Sequence, residues 1–299
     1  MTDGTEFGDA RHEGQSAGIA GGLDEARARV FRLGMPHLGP AGLFENWVLK
    51  EAGNAHWMAL AEKLSTRASS LTDRSGNRLY ASFVQLELSG SPLSRFHEDM
   101  LVAISTQLYK ISEQRYYSRF KIRALETDAL LTVQLLSVFI RRRSPDDNKS
   151  IAAEEPAPNR TARFDEPDAQ ALAWAASVRH PLQGPTTLEA AQAEPAYRST
   201  RYSPCPAIDF NNAGLLYFAN FQQILDRCEW EMLPDVAHAR IVTANRRIRY
   251  YGNVDQTDSL IIFLLPKSKD GGGVETDSLV FRQSDGRLLA HSIVDKVSG

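Results

Sequence analysis

The chain is poor in cysteine, with only Cys205 and Cys228 among 299 residues and no CxxC spacing. That count excludes a disulfide framework and gives no zinc pattern. No apolar stretch approaches the ~20 residues needed to span a bilayer, so no membrane partner is expected. Charge of one sign is lacking too. The net charge is -3, from 34 Lys+Arg and 37 Asp+Glu, and leaves no basic footprint for nucleic acid. Arg141–Arg143 form the one compact basic run, read as a solvated strand end. HxxxH and HExxH metal patterns and GxGxxG and GxxxxGK phosphate loops are all missing, which removes the simplest metalloenzyme and nucleotide-binding readings.

What remains is an ordinary globular composition, 42% apolar and 24% charged, in a chain long enough for two domains. The first 22 residues are polar, acidic and Gly-rich, without the apolar core of a signal peptide. They are read as part of a disordered tail (1–30) on a cytoplasmic protein. Residues 24–33 read as a short helix or the lead-in to a strand, and 35–42 as turns, with two Pro and two Gly. Residues 42–64 carry apolar side chains at helical spacing, with a kink or break expected at Gly53–Asn54. From Leu79 onward, 79–88, 100–111, 115–124 and 129–143 are β-rich runs separated by polar turns.

Residues 144–169 are polar and aperiodic, a linker or long connection, with a short helix expected over 168–179. The second half repeats the order of elements. A turn-rich 204–212 leads into a helix through about Glu231, followed by strands over 238–252, 259–268, 277–286 and 287–297. Ser284-Asp285-Gly286 is a hairpin signal, and Asp255 and Asp258 read as turn residues. The organisation expected is a first unit over 31–150, a linker over 151–194 and a second unit over 195–299. Each is a helix followed by an antiparallel sheet that wraps it, an α+β arrangement.

Asp209, Asn211 and Asn212 precede the second helix. Such residues cap helices by accepting from unpaired backbone N–H groups. The same geometry can hold a thioester oxygen as negative charge develops on it. Gly214 would let a ligand arm or the sheet approach the backbone. Tyr80 begins a strand, where a packed aromatic is the plain reading, and a phenol near pKa 10 needs help to act as a nucleophile. On the first helix, Glu45 and Asn46 sit near the start. His56, next to Trp57, is either a buried, satisfied histidine or an acid–base group.

Together MPHLGPAGLFENWVLKEAGNAHW (35–57), RLYASFVQLEL (78–88) and DFNNAGLLYFANF (209–221) resemble the LnmK-like double hot-dog acyltransferase/decarboxylase family of polyketide biosynthesis. The resemblance covers roughly 30–150 and 195–299. It implies a double hot-dog fold with two sheets, each around a long central helix. It also implies decarboxylation of methylmalonyl-CoA and transfer of the propionyl group to a phosphopantetheinylated acyl carrier protein. No metal or organic cofactor is implied, the CoA thioester being substrate; an oligomer is compatible.

In this family an acyl-accepting tyrosine stands in a Tyr-x-Ser-Phe context, which Tyr80-Ala81-Ser82-Phe83 matches. The catalytic set expected is therefore Tyr80, Asn211 and Asp209, with Asn212, Gly214, His56 and Asn46 binding substrate. Tyr80 from one half would face the Asn211 region from the other. The alternatives are a hot-dog thioesterase or dehydratase, the thioesterase using a carboxylate such as Asp209, and a non-catalytic acyl-binding partner.

Overall fold

The computed structural model describes residues 28–145, 147–159, 162–180, 182–233 and 241–298. Most of the expected tail, residues 1–27, and the first residues of the 238–252 run lie outside them.

Strand β1 (Arg29–Arg32) and a small hairpin, β2 (Leu38–Gly39) with β3 (Gly42–Leu43), lead into helix α1 (Glu45–Lys63). Four long strands follow: β4 (Tyr80–Gly90), β5 (Leu101–Lys110), β6 (Arg115–Ala124) and β7 (Leu130–Arg142). After β8 (Ile151–Ala153), α2 (Ala169–Ala176) and α3 (Leu188–Ala193), the second half runs through β9 (Arg198–Tyr202), the single turn α4 (Pro206–Asp209) and α5 (Phe218–Met232). It closes with β10 (Ile241–Tyr250), β11 (Leu260–Ser268), β12 (Val274–Arg282) and β13 (Leu288–Ser298).

Apart from the β2–β3 hairpin, the strands form one antiparallel sheet in the order β1-β5-β6-β7-β4-β10-β13-β12-β11-β9, with β8 added to β7. The two half-sheets meet where β4 pairs with β10, Leu86 opposite Ile248 and Leu88 opposite Arg246. The sheet therefore runs without a break from one unit to the other and carries both long helices on one face. That is the α+β double hot-dog architecture. Alternation explains the sheet's two faces. On β7, Leu131, Val133 and Leu135 join the main core beneath the helices, while Leu136 faces outward against Tyr117, Ala171 and Ala175.

The main core draws on both helices, with Val48, Leu49 and Ala52 of α1 beside Phe221, Ile224 and Leu225 of α5. Fully burying one such aliphatic or aromatic side chain is worth about 1.5–3 kcal/mol. The helices meet at Gly53, where a Cβ would lie 2.6 Å from ring carbons of Phe218. The glycine answers to this close approach and not to a break: α1 is continuous through 53–54.

The segment between the halves lies on the opposite face of the sheet. Helix α2, capped by Asp168, covers Tyr109 and Tyr117, and Trp174 Nε1 donates to Glu87 at 2.7 Å. Helix α3 sets Ala191 against Phe263, Leu279 and Phe281. The arginine run is not simply solvated either. Arg142 donates to Asn148 Oδ1 at 2.8 Å and to the carbonyl of Ala213, tying the end of β7 to the loop before α5.

Candidate functional site

The second long helix begins at Phe218, several residues later than the polar run 209–212 suggests. The cause is local. Asn211 accepts from the N–H groups of Ala213 and Leu215, at 3.0 and 3.1 Å, and Gly214 takes a φ of 67°. An asparagine bonded to its own backbone competes with the helix. The chain therefore loops back, Phe210 bridging to Leu216, before α5 starts. Asp209, Asn211 and Asn212 accordingly do not cap α5, which corrects that expectation. Asp209 is buried and accepts from Cys205 N at 2.7 Å and the Tyr202 hydroxyl at 3.2 Å. Asn212 is exposed.

Both helix starts lack a side-chain cap, because an aromatic residue stands at each N-cap: Phe44 for α1 and Tyr217 for α5. A first turn without a side-chain cap leaves backbone N–H groups and the positive end of the helix dipole open to a ligand. Each start borders a cleft completed by the middle of the other helix. The two clefts are thus matched by the internal repeat, Trp57 of α1 lining one and Trp230 of α5 the other.

The smaller cleft, about 70 Å³, lies at the start of α5 and brings Tyr80 and Asn211 together with Ser82, Tyr217 and Phe218. The expected meeting of Tyr80 with the Asn211 region is therefore present as geometry. The Tyr80 ring also carries the Arg78 guanidinium 5.0 Å from its centroid. No carboxylate lines this cleft among the described residues. His56 and Gly214 do not border it. His56 is wholly buried, with Nδ1 2.7 Å from Ser118 Oγ and Nε2 2.8 Å from Ser137 Oγ, and burial pushes its pKa down to about 3. It is a neutral pin between α1 and the sheet. Gly214 faces Arg142 and Gln256.

The larger cleft, about 680 Å³, lies at the start of α1. That volume is in the range of small-molecule sites, roughly 300–1,000 Å³. One wall is apolar, built from Pro36, Leu43, Phe44, Trp47 and Leu93; the other carries Gln222, Asp226, Glu229, Thr243 and Lys296. Asn46 lines it too, and its amide donates to the Ala219 carbonyl at 2.9 Å and Asn220 Oδ1 at 3.3 Å, joining the two helix starts.

Gln222, Asp226 and Glu229 follow one another at i, i+4 and i+7, a single face of α5. Two cations from the second half-sheet hold this face. Arg246 reaches Glu45 through Nε at 2.5 Å and Nη2 at 3.2 Å, and Asp226 at 2.7 Å. Lys296 reaches Asp226 at 3.3 Å and Glu229 Oε2 at 2.5 Å.

Burial raises the pKa of Glu229 above the usual carboxylate range despite Lys296, and raises Glu45 despite Arg246. At Asp226 the cost of burial is outweighed by Arg246 and Lys296, which bring it down to about 2. Glu229 Oε1 and Gln222 Oε1 are buried without a hydrogen-bond partner. Reading the sequence alone missed this face. Its signal was the i, i+4, i+7 spacing that puts three polar residues on one stripe of α5.

With this architecture the chain can be set beside known proteins. No protein-family model matches it, and no curated protein does. Solved structures share its fold along nearly the whole length. An acyl-ACP thioesterase from Bacteroides thetaiotaomicron superposes with a TM-score of 0.59 at 11% identity, over 90% of this chain and 96% of that one. The 12:0-ACP thioesterase from Umbellularia californica gives 0.56 at 11%, over 90% and 92%. A protein assigned as an oleoyl thioesterase from Lactobacillus plantarum gives 0.60 at 11%, over 92% and 98%.

At such identity the likeness establishes the hot-dog fold. These structural neighbours are thioesterases, which overturns the expectation of acyltransferase, decarboxylase and lyase activity drawn from the family resemblance. No helix among the described residues is long and apolar enough to cross a membrane.

Proposed function

We propose that the protein hydrolyses acyl thioesters of coenzyme A or of an acyl carrier protein, and that the larger cleft is where it does so. The observation that carries this reading is Glu229, a buried carboxylate with one oxygen unpartnered, in a cleft shared with the uncapped start of α1. The reading takes the chain as two units, 31–150 and 195–299, with the first supplying the helix start and the second the carboxylate.

In the reaction, a water oxygen attacks the thioester carbonyl carbon while its proton passes to Glu229 Oε1. A pKa raised by burial makes the ionised Glu229 a stronger base than an ordinary carboxylate. The oxyanion that forms is met by backbone N–H groups of the first turn of α1 and by the dipole behind them. Collapse breaks the C–S bond, and the thiolate leaves with the proton from Glu229, giving a carboxylic acid and a free thiol. Lys296, bonded to the second oxygen of Glu229, keeps the carboxylate oriented. Phe44 and Trp230, both exposed at the cleft, offer an apolar mouth to the thioester arm.

Thiol release from a panel of acyl-CoAs tests this directly. The reading expects release that depends on Glu229, and acyl-CoA bound without turnover would refute it.

A further inference from the structure

The cleft's polar wall also constrains the acyl group, provided that wall is the site of hydrolysis. Gln222 is 5% exposed, and its Nε2 donates to Asp226 Oδ2. Asp226 is ionised, held so by Arg246 and Lys296, and an ionised carboxylate accepts only. That contact fixes which way the amide lies: the nitrogen is engaged and the oxygen is the atom left unpartnered. Gln222 lines the cleft, and a buried acceptor calls for a donor, because leaving it unpaired costs the full desolvation of the group. An unsubstituted aliphatic chain has no donor to give.

Charge narrows the donor further. Three buried or half-buried carboxylates, Glu45, Asp226 and Glu229, face two cations, Arg246 and Lys296; Lys50 stands exposed at the rim. An acyl carboxylate would lie against a wall that already holds three carboxyl groups, the ionised Asp226 among them. An ammonium would lie close to Lys296. A hydroxyl meets the amide oxygen without adding charge. Gln222 and Glu229 are seven residues apart on α5, roughly 10 Å along the helix axis. The donor therefore lies several carbons beyond the thioester carbonyl that Glu229 serves.

We infer that the substrate is a medium-length acyl thioester carrying a hydroxyl three or more carbons beyond its carbonyl, recognised by Gln222 Oε1. A site built around a polar contact rejects the analogue that lacks it more strongly than an apolar pocket discriminates by size.

The test compares 5-hydroxyhexanoyl-CoA with hexanoyl-CoA. For the wild type, kcat/KM is expected to favour the hydroxylated substrate by about tenfold or more. Gln222→Leu is expected to bring that ratio below about threefold, the hydroxylated substrate losing more than hexanoyl-CoA. Equal or better cleavage of hexanoyl-CoA by the wild type would overturn the inference while leaving thioester hydrolysis standing. A Gln222→Leu variant that loses both substrates equally would overturn it too, placing the amide on the arm common to both.

If neither substrate is cleaved, the proposed hydrolysis fails, and binding still decides the inference. Calorimetry with non-hydrolysable ketone analogues of both acyl-CoAs is expected to show the same preference, lost in Gln222→Leu. Equal affinity for the two analogues would overturn it.

Discussion

Arg246, in the middle of β10, closes with two hydrogen bonds on Glu45, the first residue of α1 and 201 positions earlier in the chain. Through this contact the second half of the protein holds the start of the first half's helix against its own. The larger cleft is bounded by the residues it joins, so stability and site assembly depend on the same pair.

Removing the guanidinium is accordingly expected to be costly. Arg246 is fully buried, and its loss strands Glu45 and leaves Asp226 with one cation fewer. Breaking a buried pair from one side typically costs about 3–5 kcal/mol. Arg246→Met should lose that much by urea unfolding, and adding Glu45→Leu should restore part of it. A loss below ~1 kcal/mol would show that the pair does not hold the halves together.

Gly53 gives a second test of the helix crossing. On propensity alone, Gly→Ala in a helix interior gains roughly 1 kcal/mol. Here the added methyl would meet the Phe218 ring, and overpacking costs about 1–3 kcal/mol. Gly53→Ala should therefore lower the urea midpoint. A raised midpoint would mean that the ring yields freely.

His56 predicts how stability follows pH. Its folded pKa, about 3, lies below the ordinary 6.5. Between these values the unfolded chain binds a proton that the folded chain refuses, so stability is full above pH 6.5 and falls as pH drops toward 3. Asp226 adds a loss only below pH 3.8, as protonation approaches its folded value of about 2. The difference between wild type and His56→Leu, followed by urea unfolding from pH 6.5 down to 4.5, should shrink steadily. A difference constant across that range would contradict the neutral, buried assignment.

Much of the fold can be read from local pattern. The runs that became β4 to β7 are β-rich and bounded by polar turns, and the turn at Ser284-Asp285-Gly286 does join β12 to β13, with Gly286 at a φ of 67°. Elements whose form depends on distant partners were harder to read. Gly53 looks like a helix breaker until Phe218 is placed against it. Asn211 looks like a cap because its bonds to Ala213 and Leu215 require a loop, and composition does not reveal one.

The segment 151–194 reads as a polar connection since its few apolar contacts, such as those of Ala171 and Ala175, appear only once the outer face of the sheet exists. The site was affected most. Tyr80 and Asn211 do share a cleft, as the repeat of elements suggests. Gln222, Asp226 and Glu229 resemble the solvated side of a helix until Arg246 and Lys296 arrive from strands that follow it.

The most direct measurement is thiol release from acyl-CoA by the wild type, Glu229→Gln and Tyr80→Phe. Hydrolysis in the larger cleft predicts release by the wild type that falls at least ~100-fold in Glu229→Gln and survives in Tyr80→Phe. In the wild type the rate should decline on acidification, through a pKa above the ordinary carboxylate range, as Glu229 gains its proton. Release untouched in Glu229→Gln but abolished in Tyr80→Phe would move the chemistry to the smaller cleft and contradict this account.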